Sequence, residues 1–336
     1  LADRQISPHI LLRVLCISTS ILVTLTFYAI ANHWHSSLIF SIFQLQQLAS
    51  TPVWGLATMI VLSNISHPDR QFGTIRVWGT FGWIAACLTI SHLLHADNST
   101  ASGFASAIVW LLVAFLTYAI PSIPPQNSHQ PLTWKERFGL ETFQILKNPT
   151  HRAVFLTSCF LSIPLAAFYP YTRLHLEDLH VSSVSSFMAL GQVTEVVAMY
   201  TLAPLLSRYK LRSLFLIAIG ACILRYLLFA SSSLTLLCIG IALHGICFSL
   251  FFIPGQIYVE QSIDKSIRFR AQSLMTLLVS GIGNFCGYLS CGWLRSLFTQ
   301  ENHTTWPLYW LSLTLCVGVV GVYFWKACPS TPSASE

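Results

Sequence analysis

Apolar residues fill this chain in long blocks rather than in the narrow stripe of a soluble amphipathic helix. Ten stretches, at roughly 10–31, 36–64, 75–94, 102–120, 153–171, 183–206, 213–230, 234–258, 271–297 and 306–325, are predominantly apolar. Each is about as long as the 20 or so residues that a helix needs to cross a bilayer. The blocks at 36–64 and 271–297 exceed that length and predict tilt or extension past the hydrocarbon. One polar connection is long. It opens on Pro121-Ser122-Ile123-Pro124-Pro125, a cluster of breakers. It continues through Thr133-Trp134-Lys135-Glu136-Arg137-Phe138 to Leu140, Phe143 and Leu146, a spacing that predicts a short amphipathic helix on the membrane surface.

Composition agrees with this pattern. Charged residues make up 9% of the chain and apolar ones 54%, with a mean hydropathy of +0.63. Soluble domains carry about 25% charged residues, so a soluble reading is excluded. The net charge of +6 is a matter of topology and not a nucleic-acid signal. Fourteen of the 18 Lys and Arg residues fall in alternate connections and at the ends, against two, Arg173 and Arg295, in the other set. By the positive-inside rule both termini are then cytoplasmic. The ten cysteines, nine of them in apolar runs, show no CxxC or Cys/His spacing. They read as small core residues, with no metal and no cofactor. No Walker A loop, GxSxG or HExxH supports an enzyme or an ATP-driven pump. The chain starts at Leu1 with a polar Leu1-Ala2-Asp3-Arg4-Gln5 and no leader cleavage pattern. It reads as a fragment or as a sequence with a misassigned start.

Polar residues inside the blocks are the candidates for function, because a charge in hydrocarbon is costly unless it meets a partner or a watery cavity. Arg76 opens the block at 75–94, with Thr80 and Trp83 four and seven residues on and on the same helical face. It either snorkels to the surface or lines a polar cavity, where guanidinium, hydroxyl and indole suit a polar aromatic ligand. Glu195 sits mid-block, with Gln192 on its face. Removing a carboxylate from water penalises its charged form, which suits proton exchange. The alternative is a structural ion pair, for which Arg225 in the next block is available. His244 and Phe248 share a face in a block broken by Gly245, Pro254 and Gly255. Phe248 stacks on a flat ligand or packs in the core, and His244 titrates or stays a neutral hydrogen-bonding group. Gly281, Gly283 and Gly287 predict close helix packing.

Several of these stretches together resemble the nucleoside:proton symporter family of the major facilitator superfamily. They are Ile75-Arg76-Val77-Trp78-Gly79-Thr80, Gly191-Gln192-Val193-Thr194-Glu195, Leu224-Arg225-Tyr226-Leu227-Leu228-Phe229-Ala230, His244-Gly245-Ile246-Cys247, Gln256-Ile257-Tyr258-Val259-Glu260 and Ile267-Arg268-Phe269-Arg270-Ala271-Gln272. Trp134 to Asn148 extends the resemblance, which runs over essentially the whole chain. It implies an all-α membrane protein with the major facilitator fold of twelve helices, ten of them in this sequence. Residues 1–120 would form an incomplete N-terminal half (helices 3–6), 121–152 the cytoplasmic central loop, and 153–336 the C-terminal half (helices 7–12). It implies proton-coupled nucleoside uptake across the inner membrane, by a monomer in the bilayer. Arg76, Thr80, Trp83, Gln192, Glu195, His244 and Phe248 would line the nucleoside site, and Glu195 would carry the proton. Two departures stand out. Family members commonly carry an aspartate where this chain has Ser249, and helix 7 commonly supplies amides where this chain has Pro164-Leu165-Ala166-Ala167. These departures leave two alternatives: a symporter for a sugar or other small polar metabolite, and a truncated, non-transporting remnant.

Overall fold

The computed structural model describes residues 7–120, 140–231, 233–264, 267–301 and 303–328. The chain is a succession of helices that groups into two compact units, residues 1–66 with 90–137, and residues 67–89 with 138–336.

The first unit holds α1 (Pro8–Ala31), α2 (Ser36–Asn64) and α4 (Ala101–Leu116). Proline at the first helical position starts α1, where a missing N–H costs nothing. α1 packs against both α2 and α4. Their shared core joins Leu12 and Cys16 with Val53, Leu56, Ile60 and Ala114. Arg13, grouped by the charge pattern with the connections, lies inside α1. Its Nε donates to Thr117 Oγ1 at 2.9 Å, and its guanidinium lies 3.5 Å from the centroid of the Tyr118 ring. A hydroxyl acceptor and an aromatic face hold this cation at the end of the bundle.

The second unit contains α3 (Pro68–Leu88), α5 (Pro149–Leu165), α6 (Phe168–Asp178), α7 (Val184–Arg208), α8 (Leu211–Phe229), α9 (Leu234–Ser249), α10 (Phe252–Ser262), α11 (Arg268–Thr276), α12 (Asn284–Leu297) and α13 (Trp306–Ala327). α7 is its axis, with α3 packed on one side and α9 on the other. α8 joins α9 to α13, and α5 rests on α12 and α13.

Two predicted spans are broken, each by proline. Pro170 offers no N–H to the carbonyl four residues back, and the helix lapses at Ala166–Ala167 between α5 and α6. The Pro164 carbonyl in the last turn of α5 accepts the Tyr226 hydroxyl at 2.7 Å. Pro254 breaks the other span in the same way at Leu250–Phe251, between α9 and α10. The stretch at 271–297 divides around a π-helical turn, Leu277–Gly283. The start of α5 was legible locally. Asn148 accepts from the backbone of Thr150 at 2.9 Å and of His151 at 3.2 Å, with Pro149 first in the helix.

Among the described residues, eight helices are long and apolar enough to cross a membrane. α2 and α3 fall outside that set although they run for 29 and 21 residues. Gln44, Gln46 and Gln47 dilute the first, and Arg76, Thr80 and three glycines the second. The exterior is apolar. α13 buries Tyr309, Leu313, Val317 and Phe324 while exposing Leu308, Leu311, Leu315, Val319 and Val322, a continuous greasy stripe that suits lipid. All ten cysteines are unbridged. Cys286 and Cys316 are exposed, a correction to their reading as core residues: they lie on that apolar exterior. The predicted amphipathic helix falls partly on residues 133–138, outside the described residues. Its described remainder, Leu140–Lys147, forms tight 3₁₀ turns instead of an α-helix, packed on α5 and α11 with Ile145 buried.

Candidate functional site

Within the second unit, α3, α6, α7 and α9 converge on Glu195. The close approach of α7 and α9 rests on Gly245. A Cβ there would collide with the backbone of Thr194 and Glu195. The Thr194 hydroxyl uses this proximity to donate across to the Ala242 carbonyl. From the other side, α3 brings Thr80. Its hydroxyl donates to Glu195 Oε1 at 2.8 Å, and both residues are buried. Arg76, one turn earlier on α3, interacts electrostatically with the Glu195 carboxylate. Its guanidinium also stands 5.9 Å from the centroid of the Phe248 ring.

A second set of groups meets at Tyr169, at the start of α6. Its ring lies 5.4 Å from Trp83 and 5.6 Å from His244, centroid to centroid. Its hydroxyl receives Gln192 Nε2 at 3.5 Å and lies 3.4 Å from His244 Nε2. His244 is stacked on Phe168 at 4.0 Å with the rings 5° from parallel, and lies 6.2 Å from Phe248. Behind it, the fully buried Arg225 donates Nη1 to His244 Nδ1 at 3.1 Å, between the faces of Phe168 and Tyr226.

Arg76, Thr80, Trp83, Gln192, Glu195, His244 and Phe248 therefore all belong to one unit, and each touches another of the set or Tyr169. The partner of Glu195 is Thr80, with Arg76 nearby. Arg225, an available partner on sequence grounds, pairs with His244 instead. Sequence reasoning missed Tyr169. The signal was present in Ala166-Ala167 followed by Pro170, a lapse that starts a new helix with Phe168 and Tyr169 facing the cluster. Ser249 is fully buried, and among the described residues its hydroxyl has no hydrogen-bond partner. Among the described residues no group of three His, Cys, Asp or Glu side chains is placed to hold a metal.

The arrangement offers one buried carboxylate with a hydroxyl donor, guanidinium charge, an amide, and an aromatic wall of Trp83, Tyr169 and Phe248. Groups of these kinds suit a flat polar ligand, and a carboxylate is a group that can take up a proton.

Known proteins resemble the chain over most of its length. Residues 1–327 match the family described as Nucleoside H+ symporter. The nucleoside permease NupG of Escherichia coli (strain K12) is 28% identical over 291 residues, spanning 81% of this chain and 69% of the relative. The putative nucleoside transporter YegT of the same organism is 26% identical over 346 residues, 96% of this chain and 79% of the relative. A crystal structure of a NupG mutant superposes with a TM-score of 0.81 at 24% identity, covering 98% of this chain and 85% of that one. The chain has the major facilitator fold and is a multi-pass membrane protein.

Proposed function

We propose that this chain, which belongs to the nucleoside H+ symporter family, carries nucleosides across the membrane together with protons. The observation that carries the reading is the Thr80–Glu195 hydrogen bond at 2.8 Å inside a buried site shared with Arg76. Ionised Glu195 accepts from Thr80 and offsets the charge of Arg76. Protonated, it becomes a donor and releases Arg76 from that attraction. Proton and substrate therefore act on the same group, which is the coupling a symporter needs. In this reading Arg76, Thr80 and Gln192 bind hydroxyls of the sugar and edges of the base. Trp83 and Phe248 stack on the base, with His244 behind them.

The resting arrangement is a bilayer-embedded protein of the inner membrane with both termini cytoplasmic. In this reading residues 1–120 and 153–336 are the two halves of the transporter, joined by the loop at 121–152. The test is labelled-uridine uptake by bacteria lacking their own nucleoside permeases. Uptake is expected to rise as the external medium is acidified and to collapse with a protonophore. Uptake indifferent to both treatments would overturn proton coupling, and competition by sugars in place of nucleosides would overturn the substrate. Within this reading, Arg76→Gln is expected to raise the half-saturating uridine concentration by about tenfold or more. A hydrogen bond from a charged donor contributes about 1.5–3 kcal/mol. An unchanged value would remove Arg76 from the substrate site.

A further inference from the structure

The hydrogen bonds behind Tyr169 have a direction. Arg225 is a donor only, so the His244 Nδ1 that receives its Nη1 at 3.1 Å carries no proton. A neutral imidazole with Nδ1 bare carries its proton on Nε2, and that nitrogen faces the Tyr169 hydroxyl at 3.4 Å. Gln192 Nε2 donates to the same oxygen at 3.5 Å. Both acceptor positions of the phenol are thus occupied, and among the described residues its own O–H has no acceptor. Arg225 lies fully buried between Phe168 and Tyr226 and cannot reverse the order.

Tyr169 also stands where the site divides in character. Trp83, 5.4 Å away, belongs to the aromatic wall on which a base would stack. Arg76, Thr80 and Glu195 form the part rich in charge and hydroxyl that suits a ribose. A phenol beside Trp83 is placed to meet the edge of a base stacked there. Tyr169 as a residue is 40% exposed, so part of it is open to a ligand in the site.

We infer that Tyr169 is a substrate-contacting, specificity-determining residue, held by Arg225 and His244 as an obligate hydrogen-bond donor that selects bases presenting a carbonyl oxygen over bases presenting an amino group. The inference rests on the nucleoside reading above. An amino group at the same position would place donor against donor and leave both unpaired, which is where discrimination by a polar site is strongest.

The experiment is displacement of labelled uridine from membranes containing the full chain, by unlabelled uridine and by an analogue with hydrogen in place of the C4 carbonyl oxygen. Wild type is expected to favour uridine about tenfold, the equivalent of roughly 1.4 kcal/mol. Cytidine, with an amino group at C4, should compete less well than the analogue. In Tyr169→Phe the preference should shrink to about twofold or less, through weaker uridine binding with analogue binding kept. Equal binding of both ligands by wild type overturns the inference without any variant. So does a preference that survives in Tyr169→Phe, the result expected if the phenol spends its proton on Gln192. Failure of wild type to bind any nucleoside overturns the nucleoside reading itself, and is distinct from nucleoside binding without a preference.

Discussion

Glu195→Gln abolishes concentrative uptake while leaving exchange of labelled for unlabelled uridine across the membrane. The amide keeps the size of the side chain and still accepts from the Thr80 hydroxyl, so the 2.8 Å contact between α3 and α7 survives. It cannot take up or release a proton. The empty and loaded forms of the transporter then lose their dependence on the proton gradient, and the inside-to-outside ratio falls to one. The measurement is paired: net accumulation in energised cells, and counterflow in de-energised vesicles preloaded with uridine. Accumulation at the wild-type level would remove Glu195 from proton transfer. Loss of counterflow together with accumulation would mean that the carboxylate serves binding or folding instead.

Gly245→Val is expected to be more damaging than any substitution of a polar site residue. Overpacking a well-filled interior costs about 1–3 kcal/mol when side chains can adjust. Here the new atoms meet the backbone of Thr194 and Glu195, which cannot move without parting α7 from α9. The cross-helix bond from Thr194 to Ala242 goes with it. The expected result is a drop of more than tenfold in folded protein recovered from the membrane, and no measurable uptake by what remains. Gly220→Ala on α8 is the comparison. A Cβ there meets nothing within 4 Å, and alanine is the better helix former by about 1 kcal/mol. Similar thermal stability for the two variants in detergent would show that the close approach at Gly245 is not needed.

The helices were largely legible because the bilayer imposes a length and an apolarity on each span, and Pro8, Asn148-Pro149 and Pro254 punctuate them locally. The site was legible in part. Arg76 and Glu195 stood out because charge is rare in these blocks, and Thr80 and Gln192 followed from helical periodicity. What periodicity cannot give is which helix faces which. Whether Glu195 met Arg225 or a group on α3 depends on packing across residues more than a hundred apart in the chain, and Thr80 proved to be the partner. Tyr169 was hidden for a related reason. Its hydroxyl is useful only because the lapse at Ala166–Ala167 turns the start of α6 toward α7 and α9. Tyrosines are common enough in membrane spans that composition gave no warning. α2 and α3 were the least apolar of the expected spans, and α3 is the one that carries Arg76, Thr80 and Trp83.

That position 249 holds a buried serine and not an acid has a thermodynamic consequence. With serine there, Glu195 is the one carboxylate among the site residues described above, and a cycle that runs through it moves one proton. One charge crossing the membrane supplies about 2.3 kcal/mol per 100 mV. At about 1.4 kcal/mol for each factor of ten, that sustains a nucleoside ratio of roughly 50-fold per 100 mV, before any contribution from a pH difference. A second acid at position 249 would have opened the way to a second proton and to the square of that ratio. In a one-proton cycle each nucleoside gained draws a single charge from the gradient.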